Sequence, residues 1–484
     1  MFYSERFDRR ILYAMRLLLG AFPIFVFFHS VGHQNLAVLL VHLLAWAITT
    51  AVVLSSRDAI SSILFTNVFW MFFYSLYVYQ SLSLHNVETG FFDLERASKI
   101  ALVSQIGLTI AHFASPRNRV FNEIMFRKRW VKAQIFRRCG TFFSTMGIAG
   151  VLGTAGGLFS GPWSYILILF LYVGLAVRVS ERAEGIIKDY LLWVSLGLML
   201  SLSVINNSRT DLFGFVLMAL FLLVLLRRKV ITVKLVAAFV VFLPILSLYS
   251  EVTTSIRYAR ELDINIASVF FDNILDADVW GKKFNPFYQD SGTIEKINYS
   301  DFFSPVYGEG HPGLFARLTL LPILDITSSR LPEFPAFTDW GTFWKIVLSA
   351  LPSFGQEKEL IYADKVVWSL GLRTNGEVGY PLITVQGELF SLGGYPVVLF
   401  ASFMLYWILN FMYRTLVKVT VSRVVAIVVM SQLIISSCFS PTLLSLTSAS
   451  IRTPLLLIAA VILLIPIVST CKVWSVRGFG HLRS

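Results

Sequence analysis

Eight side chains of this chain have the types that phosphate recognition and proton transfer require: Arg209, Arg257, Arg260, Arg317, Arg373, His311, Glu377 and Glu388. Guanidinium groups grip phosphate oxygens in two-pronged fashion and stay charged at any working pH. Arg257 and Arg260, in Thr253-Thr254-Ser255-Ile256-Arg257-Tyr258-Ala259-Arg260, are three residues apart and share one face of a helix. Arg209 lies in Ser208-Arg209-Thr210-Asp211 at the end of an apolar run, with another starting at once. Ionisable groups at the edge of hydrocarbon tend to be functional. An Arg209–Asp211 contact that seals a helix end is an equally good reading. Arg317 follows His311 in Glu309-Gly310-His311-Pro312-Gly313-Leu314-Phe315-Ala316-Arg317, and Arg330 and Arg373 come after it. Such arginines suit an anionic, lipid-borne diphosphate. For any one of them, pairing with a nearby acid is the simpler reading, and that reading weakens for Arg209, Arg257 and Arg260, close to the ends of apolar runs.

Proton transfer needs a base. The stretch Thr374-Asn375-Gly376-Glu377-Val378-Gly379-Tyr380 runs on to Gln386-Gly387-Glu388-Leu389-Phe390-Ser391-Leu392-Gly393-Gly394-Tyr395-Pro396, where an apolar run begins. A carboxylate at that boundary is costly unless paired or used, and desolvation would raise its pKa toward the range of a general base. Glu388 is therefore one candidate. Glu377 is a second and equally reads as a surface charge; His311 is a third and equally reads as a satisfied loop histidine beside Pro312.

Other chemistries lack their signatures. There is no P-loop, HExxH, GxSxG or dinucleotide fingerprint. Cys139, Cys438 and Cys471 are far apart, so neither a disulfide framework nor a zinc site is expected. Asp276-Ala277-Asp278 looks like a metal–nucleotide-sugar motif, but nucleotide-activated donors are not expected on the face where it falls, and it reads as a solvated turn. The sequons at Asn206 and Asn298 are short enough to arise by chance. No metal and no cofactor is expected.

These residues must be positioned by membrane helices. The chain has 484 residues, 56% hydrophobic and only 14% charged, with a mean hydropathy of +0.70. Composition and periodicity predict an all-α polytopic membrane protein of about twelve transmembrane helices with one large, partly helical loop. The expected spans are 11–28, 36–54, 59–82, 97–113, 139–159, 164–177, 189–205, 212–226, 235–249, 389–410, 424–446 and 451–470. They divide the chain into an N-terminal block of nine spans (1–249), the loop (250–388) and a C-terminal block of three (389–484). The loop is acidic, with eleven Lys/Arg against eighteen Asp/Glu in a chain of net charge +12. It is too rich in aromatic groups to be a disordered linker.

With the N-terminus inside, the inner segments hold 25 basic residues and the short outer loops hold two, Arg96 and Arg209. The basic-inside rule therefore predicts cytoplasmic termini and an outer 250–388 loop. The first apolar run follows three arginines without a cleavage site and is expected to stay as an anchor. The basic stretch 117–138 reads as a loop held against lipid headgroups, not as a nucleic-acid surface. Gly147, Gly150, Gly153 and Gly157 recur at helix-packing spacing, and the apolar stretch 340–352 is too short to span and predicts an interfacial or re-entrant helix.

The layout, with Ser208-Arg209 at an outer span end and the Gly-Glu-Leu-Phe-x-Leu-Gly-Gly passage (387–394) leading into the span after the loop, resembles the O-antigen polymerase and ligase superfamily of bacterial inner-membrane glycosyltransferases. The resemblance covers most of the chain as layout and some twenty residues as motif. It implies polymerisation of undecaprenyl-diphosphate-linked repeat units into O-antigen or exopolysaccharide on the periplasmic face, without metal. Arg209, Arg257 and Arg260 would then stabilise the departing diphosphate, and a flippase and a chain-length regulator would be partners. Ligases carry a histidine just before the glycine-rich passage; 374–388 has none, which favours the polymerase. The alternatives are a ligase or a polytopic transporter of lipid-linked sugars, though the nine-plus-three layout and long loop are unusual for a carrier.

Overall fold

The computed structural model describes residues 2–30, 35–82, 87–88, 91–115, 140–155, 189–205, 319–332, 362–371, 383–420 and 442–452. It also describes positions 158, 167, 169–175, 178, 217–218, 221, 224, 341, 344–345, 348, 426–427, 430–431, 434 and 454–456. Among the described residues every regular element is helical and no strand occurs. This follows from composition: in apolar surroundings a backbone must bond to itself, and a helix does so within one segment. Five stretches are long and apolar enough to cross a membrane: Phe7–His29, Leu36–Ser55, Ala59–Ser81, Leu94–Ala114 and Val385–Val417. They fall on the first four expected spans and the tenth.

The first three form α1 (Phe2–Ser30), α2 (Leu36–Ser55) and a helix in three pieces: α3 (Ala59–Val68), a π turn (Phe69–Tyr74) and α4 (Ser75–Leu82). Asn35 starts α2, its Oδ1 accepting the Ala37 and Val38 N–H groups. The π turn has a visible brace. Gln105 of α5 (Leu94–Ala114) accepts the Phe69 N–H through Oε1 and donates Nε2 to the Phe65 carbonyl. A wide turn disturbs the regular ladder, and this amide satisfies groups on both of its sides.

Helix α5 is the centre of the described packing, touching α2, α3 and the C-terminal helix Val385–Thr420. Gly107 lets the last approach: a Cβ there would lie 2.5 Å from the Leu399 carbonyl oxygen. Polar pairs line the same seam. Ser104 and Ser402 hydroxyls are 2.9 Å apart, Ser61 donates to Asn410 Oδ1 at 2.7 Å, Asn410 Nδ2 donates to Ser115 at 3.2 Å, and Asn67 donates to the Tyr406 hydroxyl. Interhelical hydrogen bonds between small polar side chains are the usual glue between apolar helices.

A second group contains α6 (Gly140–Ala155), the helical positions 167, 169–175 and 178, and α7 (Tyr190–Ile205). Gly147 packs on Leu171 and Gly150 on Leu167, so the expected role of these two glycines in close packing holds. A buried ion pair locks the group. Arg178 Nε and Nη2 reach Asp189 at 2.8 and 2.5 Å, and Nη1 donates to Thr141 at 3.0 Å. Asp189 Oδ1 also accepts the Leu191 N–H, starting α7.

Segment 250–388 contributes α8 (Leu321–Ser329) and α9 (Tyr362–Ser369). Within the stretch expected to be interfacial, residues 341, 344, 345 and 348 are helical, and Trp344, Lys345 and Leu348 are exposed. Next comes α10 (Val385–Thr420), broken at Gly393 and Gly394. Gly394 has φ 69° and ψ −156°, a backbone state that side chains with a Cβ avoid. The last elements are α11 (Leu443–Thr447) and a π turn, Ser448–Arg452.

Gly107→Ala is expected to lower the melting temperature in detergent, consistent with an overpacking cost of about 1–3 kcal/mol. Gly197→Ala on α7, where a Cβ meets nothing within 4 Å, is expected to leave it unchanged or raise it slightly. Equal behaviour of the two variants would remove the close α5–α10 approach as a source of stability.

Candidate functional site at the Leu94 end of the helix block

Two pieces of segment 250–388 fold in against α5. The first is α8. The Leu320 N–H donates to the Met71 carbonyl at 3.0 Å, inside the π turn and well within the helix block. Leu320, Leu321 and Leu324 join the main apolar core. From there α8 rises along α5 to its first turn. Asp325 Oδ2 accepts the Phe92 N–H and Oδ1 the Asp93 N–H, each at 2.7 Å. Asp93 in turn accepts the Arg96 N–H at 3.0 Å. A helix leaves its first N–H groups without internal partners; Asp93 supplies one for Arg96, and Asp325 holds the two residues that lead into the helix.

Asp325 is fully buried in a helix too short to span a membrane. Burial first, and then the Asp93 charge, raise its carboxyl to about 6 against the downward pull of the two N–H bonds. At the other end of α8, Arg330 Nη1 donates to the Leu370 carbonyl at 3.1 Å, tying α8 to α9. A small apolar cluster of Ile326, Ala363, Val366, Val367 and Ile383 fills the space between α8, α9 and the start of α10.

The second piece is the stretch 383–392. Gln386 Nε2 reaches Ser104 at 3.3 Å, while Phe390 lies over the Arg96 guanidinium, 5.3 Å from ring centroid to guanidinium carbon. Ser104 also meets Ser402, so the chain climbs from Gln386 to the glycine break and then descends along α5. Phe390 and Tyr395 meet edge to face at 5.1 Å across that break. Gly387 is hemmed in by Thr327 and Ile383, both 3.2 Å from a notional Cβ.

Glu388, a sequence candidate for the base, is 1% exposed. Its Oε1 accepts the Leu443 N–H at 2.9 Å and so caps α11. Ser391 bonds to the Glu388 carbonyl at 2.8 Å and to the Tyr362 hydroxyl at 3.1 Å. The 387–394 passage is thus where α8, α9, α10 and α11 converge. Arg209, Arg257, Arg260, Arg317, Arg373, His311 and Glu377 lie outside the described residues, as do the two sequons and the 276–278 turn. Among the described residues no three His, Cys, Asp or Glu side chains gather as a metal site would need.

Sequence reasoning missed Asp325 and the use of Arg96. A signal existed for each. Asp325 is a lone acid inside Leu321-Pro322-Ile323-Leu324-Asp325-Ile326, and Arg96 is a basic residue in a segment where the charge rule predicts few. Compared with protein-family models, curated proteins and solved structures, the chain matches none of them.

Asp325 predicts a pH dependence. Its folded-state pKa lies above the ordinary 3.8, so the folded protein holds the proton more tightly than the unfolded chain. The resulting stabilisation is full below about pH 4 and is lost as pH rises through about 6. Relative to Asp325→Asn, wild type is expected to lose up to about 3 kcal/mol between those limits, read from melting curves in detergent. Parallel profiles would show that this carboxyl titrates normally.

Proposed function

We propose that this chain is a membrane glycosyltransferase that polymerises undecaprenyl-diphosphate-linked repeat units into O-antigen or exopolysaccharide. The observation that carries the reading is the folding of α8 and residues 383–392 of the acidic segment onto the Leu94 end of α5. A joint between a polar segment and span ends is where a lipid-anchored sugar can present its diphosphate to side chains while its tail stays in the bilayer. The topology that goes with this reading is twelve spans in a bacterial inner membrane, both termini cytoplasmic and the 250–388 loop periplasmic. A flippase and a chain-length regulator are the partners it calls for.

In this mechanism a hydroxyl of the acceptor glycan attacks the anomeric carbon of the donor's first sugar. The bond from that carbon to the diphosphate oxygen breaks, and its electron pair leaves on the diphosphate. Arg209, Arg257 and Arg260, with Arg317 and Arg373, stabilise the charge that develops there. The hydroxyl proton passes to a base drawn from Glu377, Glu388 and His311. The capping bond from Leu443 to Glu388 weighs toward the other two. The missing histidine in 374–388 favours the polymerase over a ligase.

One observation favours a second reading, a transporter of lipid-linked sugars. Carriers build their sites from discontinuous helices, and α10 breaks at Gly393 and Gly394 while the third span is interrupted at its π turn. Deletion separates the two. Loss of a polymerase leaves surface glycans with a single repeat unit, whereas loss of a transporter leaves no surface repeat at all; long chains in the deletion strain would refute the polymerase.

Arg209→Ala, Arg257→Ala and Arg260→Ala are each expected to abolish chain growth at normal protein level, scored on glycan gels; normal chain length in all three removes the diphosphate clamp. Glu388→Gln keeps an oxygen for the Leu443 N–H and is expected to preserve chain growth. Glu388→Ala leaves that N–H unpaired at a cost of about 1–3 kcal/mol. Loss of chain growth in a stably folded Glu388→Gln would instead make Glu388 the base.

A further inference from the structure

Arg96 occupies an unusual electrostatic position. It lies in the first turn of α5, where the helix dipole is positive and a cation is disfavoured. The two nearby carboxylates, Asp93 and Asp325, accept backbone N–H groups instead. Among the described residues no carboxylate lies within ion-pair distance of its guanidinium, whereas Lys99, one turn on, has Glu95 at 2.6 Å. Among the described residues the Arg96 Nε is buried without an acceptor, Nη2 donates to the Pro332 carbonyl, and Nη1 has no partner. The Phe390 ring covers one face of the guanidinium, which holds the fork in place without neutralising it.

A guanidinium at a positive helix end with no carboxylate partner among the described residues is complemented by an anion that offers an oxygen to its open edge. Phe92, three residues before the first helical turn's Glu95, is 58% exposed, so apolar surface adjoins the cation. An anion carried on a hydrocarbon tail matches both features. We propose that Arg96 binds a phosphate oxygen of a lipid-borne phosphate at the Leu94 end of the helix block. Two lipids supply that chemistry: the polyprenyl diphosphate donor, which rests on the polymerase reading, and a bilayer phospholipid headgroup, which does not. Arg96 is separate from the arginines assigned above to the departing diphosphate.

The test uses the full chain in phosphatidylcholine nanodiscs, titrated with undecaprenyl diphosphate and, separately, with dioleoylphosphatidylglycerol, following tryptophan fluorescence. Arg96→Gln is expected to weaken binding at least about tenfold, as loss of a hydrogen bond between charged groups does, while Arg9→Gln stays within about twofold. Loss confined to undecaprenyl diphosphate identifies the donor as the source, and loss with phosphatidylglycerol identifies a headgroup. Unchanged affinity for both probes overturns the proposal. Should Arg96→Gln fail to fold, modification of wild type with phenylglyoxal decides: protection of Arg96 by either lipid supports the site, and equal modification with and without both lipids overturns it. Long chains in the deletion strain would remove the polymerase reading and leave this binding result standing.

Discussion

Helix starts buried among apolar groups leave N–H donors that water does not reach, and the described packing depends on how these are met. Carboxylates meet several of them. Asp58 accepts from Ser61, Asp93 from Arg96 and Asp189 from Leu191, each within its own neighbourhood of the chain. Asp8 accepts from Ala59, Asp325 from Phe92 and Asp93, and Glu388 from Leu443, and these three join distant elements. A hydrogen bond to a charged group contributes about 1.5–3 kcal/mol, more than a neutral one, and an orphaned donor costs a similar amount. Each long-range cap therefore fixes where one helix starts relative to another. Among the described residues such caps recur at four helix starts, those of α3, α5, α7 and α11.

The caps also explain why α5 is the centre of the packing. Its first turn is held by Asp325 from α8, its middle braces the π turn through Gln105, and Gly107 admits the α10 backbone. A helix of such low amphipathicity has no single lipid face to lean on. Small and polar residues at Ser98, Ser104, Gln105 and Gly107 let it accept neighbours on several sides, with apolar residues filling the remaining contacts. His42 shows the same economy of polar groups: its ring bonds the Tyr77 hydroxyl at 3.0 Å and Ser98 at 2.9 Å, joining α2, α4 and α5 with both nitrogens satisfied. Fully satisfied networks of this kind specify one arrangement of helices where apolar packing alone would allow several.

Local sequence revealed the long apolar helices well and the joints between them poorly. The expected spans 36–54 and 59–82 match their helices almost residue for residue, because the hydropathy of twenty adjacent residues is a local property. The tenth span was expected to stop at 410, yet α10 continues to Thr420. Arg414 and Lys418 made its end look like a loop, but charged residues prolong a helix readily once the backbone ladder is formed. The entry of α8 was not legible. Its nine residues are shorter than any span, and its partners, Met71 and Phe92 to Asp93, are more than two hundred positions away. The 387–394 passage stood out as a motif, and it does sit at the convergence of four helices, but Glu388 drew notice as a possible base and its bond to Leu443 was invisible.

The same geometry changes how the acidity of segment 250–388 bears on its arginines. Eighteen acids against eleven bases suggest that every arginine there has a carboxylate to pair with. Asp325 and Glu388, the acids of that segment whose side chains are described, each direct carboxylate oxygen to backbone N–H groups. An acid engaged in capping has less capacity to neutralise a guanidinium, since its lone pairs are already directed at a donor. For Asp325, two N–H groups take up both oxygens at once. Arg96, beside Asp325, donates to the Pro332 carbonyl. A backbone carbonyl orients a guanidinium without cancelling its charge. Asp325 thus spends both of its oxygens on joining segment 250–388 to the start of α5, and leaves the neighbouring Arg96 to a carbonyl and an aromatic ring.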